Sequence, residues 1–250
     1  MVKMIRTDFR KIFGSYQIYL CMVILGFVYS LAYFEMVRGQ EYYGDFANGF
    51  NVLSGSTIMI FCFLICIVGG SFLYCAEEKY GYLKYEIQRV GIKKYTVSKI
   101  LSSVVSGFFT AMAGILISIG FMILVSCLKY ENIAEVWPNA NNLERFLWEI
   151  ILFSMLCGLL SAIGFLVTTF WANIYIGITV PIIIYYFLLC LRNWIPIPMS
   201  LQISKVYLQV GYVDEGYIYF FLYAVLYTSF WLVFIYKIAK NRIQWRLEHA

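Results

Sequence analysis

The chain has 250 residues, of which 62% are hydrophobic and 20% aromatic, and only 13% are charged. Soluble domains carry about 25% charged residues and are about half apolar, so this composition excludes an ordinary soluble domain. The net charge of +5 and the mean hydropathy of +0.77 therefore describe a chain that we expect to lie in lipid.

The first 14 residues form a distinct N-terminal segment in which apolar residues recur at helical spacing and charged residues fill the other face. The apolar positions are Val2, Ile5, Phe9, Ile12 and Phe13, and the charged positions are Lys3, Arg6, Asp8, Arg10 and Lys11. This pattern predicts a basic amphipathic helix lying in the headgroup layer, in the plane of the membrane. The alternative is an ordinary basic flank that only fixes orientation.

Six apolar runs follow, each close to the roughly 20 residues that a helix needs to cross the hydrocarbon. They cover residues 16–34, 55–75, 100–127, 147–170, 174–191 and 217–236. The third run is long enough to tilt or to project beyond the bilayer. The fifth carries Pro181 near its middle, which removes one backbone hydrogen bond and predicts a kink. The whole chain, residues 1–250, is predicted to form a single domain.

Residues 77–99 are the only long charged segment between apolar runs, with three acids and six bases. Each Lys or Arg costs roughly 2.5–3.5 kcal/mol at the bilayer centre, so this segment is expected outside the membrane. With six spans it lies on the same side as both termini, and that side holds 14 of the 19 Lys and Arg residues. The positive-inside rule then predicts a multi-pass protein of the cell membrane with both termini in the cytoplasm.

The loops on the other side of the membrane from the termini are short. They comprise residues 35–54, residues 128–146 with an Asn-rich turn at 139–142, and residues 192–216, where short interfacial helices are possible. Trp and Tyr residues at the loop edges are interpreted as an aromatic belt at the headgroups.

The runs provide little for catalysis, because their middles contain no Asp, Lys, Arg or His. The sole histidine, His249, is next to the C-terminus, and the seven cysteines lie in or beside apolar runs without a Cys-x-x-Cys pair. No G-x-x-x-x-G-K-[ST] phosphate loop is present either. We therefore predict no catalytic, metal-binding or cofactor-binding residue in this chain, and no energy source of its own.

Residues 77–101 resemble the intracellular segment of type-2 ABC exporter permeases. The pattern starts with the acids Glu77 and Glu78, continues through Lys79, Gly81, Leu83 and a short basic turn at 89–94, and ends at Lys99. The layout of an in-plane helix, six spans and a large second-to-third cytoplasmic loop matches that family along the whole chain. Pro181 resembles a proline seen in the fifth span of many members. The chain departs from the pattern at Tyr82, where Thr is common, and at Gly91, which replaces a Pro-containing turn.

The resemblance implies an all-α integral membrane fold of the type-2 ABC permease architecture, with residues 76–99 as the cytoplasmic coupling segment. It implies an interface with the ATPase at Glu77, Glu78, Lys79, Tyr80, Gly81, Tyr82, Lys84 and Arg89. The expected partners are two ABC ATPase subunits, which would bind ATP and Mg²⁺, and a second permease subunit, identical or different. The cargo would be hydrophobic or amphipathic, such as an antimicrobial peptide or a lipid-like compound, and no nucleic acid is expected.

Two other hypotheses come from different classes of protein. The chain could be a non-transporting membrane anchor or sensor whose cytoplasmic loop recruits a signalling partner. It could also be an intramembrane enzyme, although the missing base and metal ligands argue against this.

Overall fold

The computed structural model describes residues 2–38, 58–129, 140–194, 207 and 217–249, and these residues form eight helices and no strand. The helices are α1 (Val2–Phe13), α2 (Tyr16–Arg38), α3 (Ile58–Lys79), α4 (Tyr82–Val90), α5 (Ile92–Lys129), α6 (Ala140–Phe170), α7 (Ile174–Trp194) and α8 (Tyr217–His249). The all-helical class predicted from the sequence is thereby confirmed.

Each of the six predicted apolar runs corresponds to one long helix. Five of these helices are long and apolar enough to cross a membrane, namely α3, α5, α6, α7 and α8. A sixth crossing is obtained if α2 is counted together with α1, from which it is bent by 55°. The set of long apolar helices fits a multi-pass membrane protein.

Helix α6 forms the centre of the bundle and packs against α3, α5, α7 and α8. In its apolar window 78% of the residues are buried, compared with 22% in α7 and in α8. Small residues allow the close approach of its neighbours: a Cβ added to Gly107 of α5 would lie only 2.7 Å from the carbonyl oxygen of Cys157 in α6. Close backbone approach at small residues is the usual way in which membrane helices associate.

Pro181 lies inside α7, which continues as one helix from Ile174 to Trp194. The carbonyl that loses its helical donor is that of Gly177, four residues earlier. This carbonyl faces α6, since a Cβ added to Gly164 would lie 3.0 Å from the Gly177 oxygen. The two glycines therefore let α7 pack closely on α6 at the position of the proline.

Several helices extend beyond the predicted apolar runs. Helix α8 continues to His249 instead of ending near residue 236, because the Lys and Arg residues that follow the apolar run are good helix formers that extend the helix beyond the hydrocarbon. Residues 140–142, assigned to an Asn-rich turn, form the first turn of α6, where asparagines compete least with the helical backbone.

Residues 35–38 of the first predicted loop belong to the end of α2, whereas residues 39–54 and most of the loop at 192–216 lie outside the described residues. Tyr207 is one described residue of the latter loop; it is buried, and its hydroxyl lies 2.6 Å from Oγ1 of Thr228 on α8.

Candidate functional site

The salt bridges that join helices among the described residues collect at one end of the bundle, which we call the charged end. It consists of α1, the last turn of α3, all of α4, the first turns of α5, and the C-terminal ends of α6 and α8. Two ion clusters and one exposed helix face make up this end.

Helix α1 carries one acid, Asp8, which faces the neighbouring helices. Asp8 is only 1% exposed and lies one helical turn from Ile12, which is 2% exposed, whereas Arg6 and Arg10 point outward. The prediction that Asp8 belongs to the solvated polar face was therefore wrong. The reason is a tertiary contact, because Asp8 meets a buried lysine on α5.

That lysine, Lys99, is 1% exposed and forms the centre of the first cluster. Its Nζ lies 2.8 Å from Oδ1 of Asp8 and 2.5 Å from Oε1 of Glu77. The two carboxylates accept further hydrogen bonds, from the Ser98 hydroxyl at 2.5 Å and the Tyr95 hydroxyl at 2.8 Å. A buried ion pair is tolerated when its remaining lone pairs are satisfied in this way.

The rim of the same cluster reaches α4. Nζ of Lys11 lies 3.0 Å from Oε1 of Glu77 and 2.8 Å from Oε1 of Glu86 on α4. We call Asp8, Lys11, Glu77, Glu86 and Lys99 the Lys99 cluster. It connects α1, α3, α4 and α5 at one point.

The second cluster is built on Arg246 near the end of α8. Its guanidinium pairs with the Glu78 carboxylate and donates to the carbonyl oxygen of Phe170 at 2.8 Å. Phe170 is the last residue of α6, so the arginine satisfies one of the carbonyls that a helix end leaves free. Nearby, the Arg242 guanidinium lies over the rings of Phe170 and Trp245, at 5.2 Å and 4.1 Å. We call the contacts of Glu78, Phe170 and Arg246 the Arg246 cluster, which connects α3, α6 and α8.

Helix α4 is a nine-residue helix bounded by two glycines. Gly81 and Gly91 have φ values of 72° and 85°, in the left-handed region that other residues rarely adopt. Each glycine permits the sharp change of direction between α4 and a neighbouring long helix. Ile87 is buried and Glu86 is held by Lys11, so α4 is fixed to the bundle along one side.

The opposite side of α4 and the turn before it are exposed. Tyr80, Tyr82 and Tyr85 are 69%, 60% and 73% exposed. Lys84 and Arg89 are exposed on the same helix. We call these five side chains the tyrosine face.

The eight residues assigned to an ATPase interface from the sequence thus occupy two different environments. Glu77 and Glu78 pair with bases of this chain. The other six are exposed, namely Lys79, Tyr80, Gly81, Tyr82, Lys84 and Arg89. Pro181 lies elsewhere, about two turns into α7.

Sequence reasoning missed the partners that hold this end together, which are Asp8, Lys99 and Arg246. Two local signals pointed to them. Asp8 is the only acid in a basic amphipathic helix, and Lys99 directly precedes an apolar run, where an unpaired charge would be costly. No local signal identifies Arg246, whose partners are 168 and 76 residues away.

Among the described residues, no group of three or more His, Cys, Asp or Glu side chains is placed to hold a metal ion. The long apolar helices, with the salt bridges gathered at one end, fit a multi-pass helical membrane protein. A comparison with models of known protein families finds no match for the sequence. A comparison with curated protein sequences finds none either.

Proposed function

We propose that this chain is the membrane-spanning permease subunit of an ATP-driven exporter of the type-2 ABC architecture. Two separate ABC ATPase subunits bind ATP and Mg²⁺ and supply the work, and a second permease subunit completes the pathway. The cargo is hydrophobic or amphipathic, of the kind represented by antimicrobial peptides and lipid-like compounds.

The tyrosine face of α4 is the observation that carries this proposal. Three tyrosines that are 60% or more exposed stand on a short helix and on the turn before it, and the other side of this helix is anchored in the bundle. Tyrosine and arginine are the residue types enriched at protein interfaces, where they contribute most of the binding energy. A partner protein therefore has a fixed and chemically suitable surface to bind.

The Lys99 cluster explains how this surface could transmit movement. Glu86 of α4 contacts Lys11 of α1, and Lys11 contacts Glu77 at the end of α3. The chain of contacts continues through Lys99 into α5. The pairs of Lys99 are buried, and the Lys11–Glu86 pair that joins them to α4 lies at the rim. We propose that a displacement of α4 is passed through these contacts to α1, α3 and α5, as in rigid-body coupling between an energy source and a transport domain.

The positions of the chain ends support the proposed orientation. Asp8 near the N-terminus belongs to the Lys99 cluster and Arg246 near the C-terminus pairs with Glu78, the residue next to Glu77. Both ends of the chain thus contribute to the charged end. The excess of Lys and Arg at this end favours the cytoplasm.

Site-specific photo-crosslinking in native membranes tests the proposal. A photoreactive amino acid replaces Tyr85 on α4, which is 73% exposed, and in the control it replaces Tyr219, which is 74% exposed near the other end of α8. The two probes are equally exposed but lie at opposite ends of the bundle. We expect an ABC ATPase in the adduct of the first probe and none in the adduct of the second.

The adduct also discriminates between the functional hypotheses. A signalling protein without a nucleotide-binding cassette at position 85 would support the anchor or sensor hypothesis and refute the permease. ATPase adducts of equal yield at both positions would show that the crosslink does not report a specific interface.

A further inference from the structure

A cavity of about 260 Å³ lies between the bent pair α1–α2 and the second half of α3. It is smaller than the roughly 300–1,000 Å³ of sites that enclose drug-sized molecules. It can therefore hold part of a larger molecule, such as one hydrocarbon chain.

The lining is divided by polarity along the bundle. Towards the charged end the lining is mainly polar, with Lys11, Ser15, Gln17, Glu77, Tyr80 and Tyr82 beside the apolar Ile12. Further along α2 and α3 it is apolar, with Ile18, Cys21, Val68, Phe72 and Ala76. A ligand that satisfies both parts must be an amphiphile with its polar group at the charged end.

The depth of the apolar part matches one leaflet of a bilayer. The eight-residue step from Val68 to Ala76 rises about 12 Å along α3, at 1.5 Å per residue. Half of the hydrocarbon core of a bilayer is about 15 Å thick. An acyl chain in this cavity therefore lies at the depth of the chains of the surrounding leaflet.

The polar part offers hydrogen-bond donors. Lys11 has three N–H groups, of which two are used by Glu77 and Glu86, so one remains on a side chain that is 46% exposed. Ser15 accepts a hydrogen bond from the Gln17 backbone, which leaves its hydroxyl hydrogen free to donate. The hydroxyls of Tyr80 and Tyr82 and the Gln17 amide add further donors.

Glu77, the acid in the lining, is less available to a cationic headgroup than these donors are to an anionic one. Oε1 of Glu77 already accepts from Lys11 and Lys99, and Oε2 accepts from Tyr95. Both oxygens of Glu77 are thus engaged within the protein, whereas the N–H and O–H donors that remain free are complementary to phosphate oxygens.

From this arrangement we infer that the cavity binds one phospholipid of the surrounding leaflet, with an acyl chain between α2 and α3 and its phosphate at Lys11, Ser15 and Gln17. The lipid is a resident component of the fold that fills the angle between α1 and α2. The inference depends only on the embedding of the chain in a membrane, not on the transport function.

Native mass spectrometry of the purified full chain in detergent, titrated with phosphatidylglycerol, tests the site. In Cys21→Phe the added ring fills the cavity, and in the control Val23→Phe it points to the outside of α2, where Val23 is 58% exposed. We expect the chain to retain one phosphatidylglycerol and Val23→Phe to retain it equally. Cys21→Phe should bind it at least about tenfold more weakly, since several buried methylenes are lost. Equal retention by both variants would overturn the inference.

A second pair of variants tests the headgroup without changing the cavity volume. Gln17→Glu places a negative charge in the polar lining, and Gln88→Glu places the same charge on the exposed side of α4. Only Gln17→Glu should weaken the binding of phosphatidylglycerol, and neither should alter the binding of diacylglycerol with the same chains. A diacylglycerol bound as tightly as phosphatidylglycerol would refute the phosphate contact. Displacement of the lipid by inorganic phosphate would instead indicate a site for a soluble anion.

Discussion

Glu77 and Glu78 are adjacent residues at the end of α3, yet they belong to two clusters with different surroundings. In the Lys99 cluster, the side chains of Lys99 and Asp8 are each 1% exposed and that of Glu77 is 7% exposed. In the Arg246 cluster, the side chains of Arg246 and Glu78 are 19% and 28% exposed. The residue type and the helix are the same, so the difference lies in the burial of the two pairs and in their partners, which are two lysines and a tyrosine for Glu77 and one arginine for Glu78.

This difference determines how much each ion pair contributes to the free energy of unfolding. Removal of one partner from a buried pair leaves an uncompensated charge and costs about 3–5 kcal/mol. Fully exposed pairs contribute about 0.2–1 kcal/mol, and the partly buried Arg246–Glu78 pair is expected near the upper end of that range. We therefore expect the Lys99 cluster to hold α1, α3 and α5 together and the Arg246 cluster to add a smaller restraint on α8.

The largest effect is expected for Lys99→Met, which leaves the buried Asp8 carboxylate without its cation and leaves Glu77 with Lys11 alone as its cation. The free energy of unfolding in detergent should fall by about 3–5 kcal/mol, or the protein should fail to accumulate in membranes. Thermal unfolding monitored by circular dichroism provides the measurement.

A matched variant separates the lost charge balance from lost packing. Lys99→Met combined with Asp8→Asn and Glu77→Gln removes all three charges at nearly constant volume, and it should be more stable than Lys99→Met alone. If the triple variant unfolds at the same temperature as the single one, the cluster acts through packing and the comparison with the Arg246 cluster fails.

An intermediate effect is expected for Tyr95→Phe. The hydroxyl of Tyr95 is buried and donates to Oε2 of Glu77 at 2.8 Å, so its removal leaves a buried carboxylate oxygen without this donor. The loss should be about 1–3 kcal/mol. Tyr80→Phe removes a hydroxyl from a side chain that is 69% exposed and serves as the control, for which no change is expected. Equal losses in both variants would show that the Glu77 contact is not the cause.

The smallest effect is expected for Arg246→Gln, at most about 1 kcal/mol. It should shrink further in 1 M salt, where the Debye length is about 3 Å, whereas the effect of Lys99→Met should not. Arg246→Lys retains the charge but not the two-pronged contact with Glu78 and the Phe170 carbonyl, so it distinguishes charge from geometry. A loss from Arg246→Gln as large as that from Lys99→Met would mean that the two clusters are energetically equivalent.

The positions of the long helices could be read from the sequence because the hydrocarbon requirement acts on each run separately. The structure places a helix at every predicted run, and the amphipathic α1 extends over Val2–Phe13 as its periodicity indicates. The errors are at boundaries, where helix formation continues past the apolar residues, as in α8.

Less of the candidate site than of the fold could be predicted from the sequence. The exposed residues of α4 could be identified because a charged segment between apolar runs must lie outside the membrane. The roles of Glu77 and Asp8 could not, since a carboxylate on the surface and a carboxylate in a buried pair have the same local sequence. Whether these two carboxylates are paired and buried depends on Lys99, which lies 22 and 91 residues away along the chain.

The sequence by itself therefore determined the class of protein, the number of apolar runs and the location of the charged segment, because transfer into lipid depends mainly on local composition. Only the tertiary structure decided which charges are neutralised inside the protein and which remain available to a partner. The physical reason is that a buried charge is stable only when its counter-ion is brought within a few ångströms, and that proximity is a property of the packed helices.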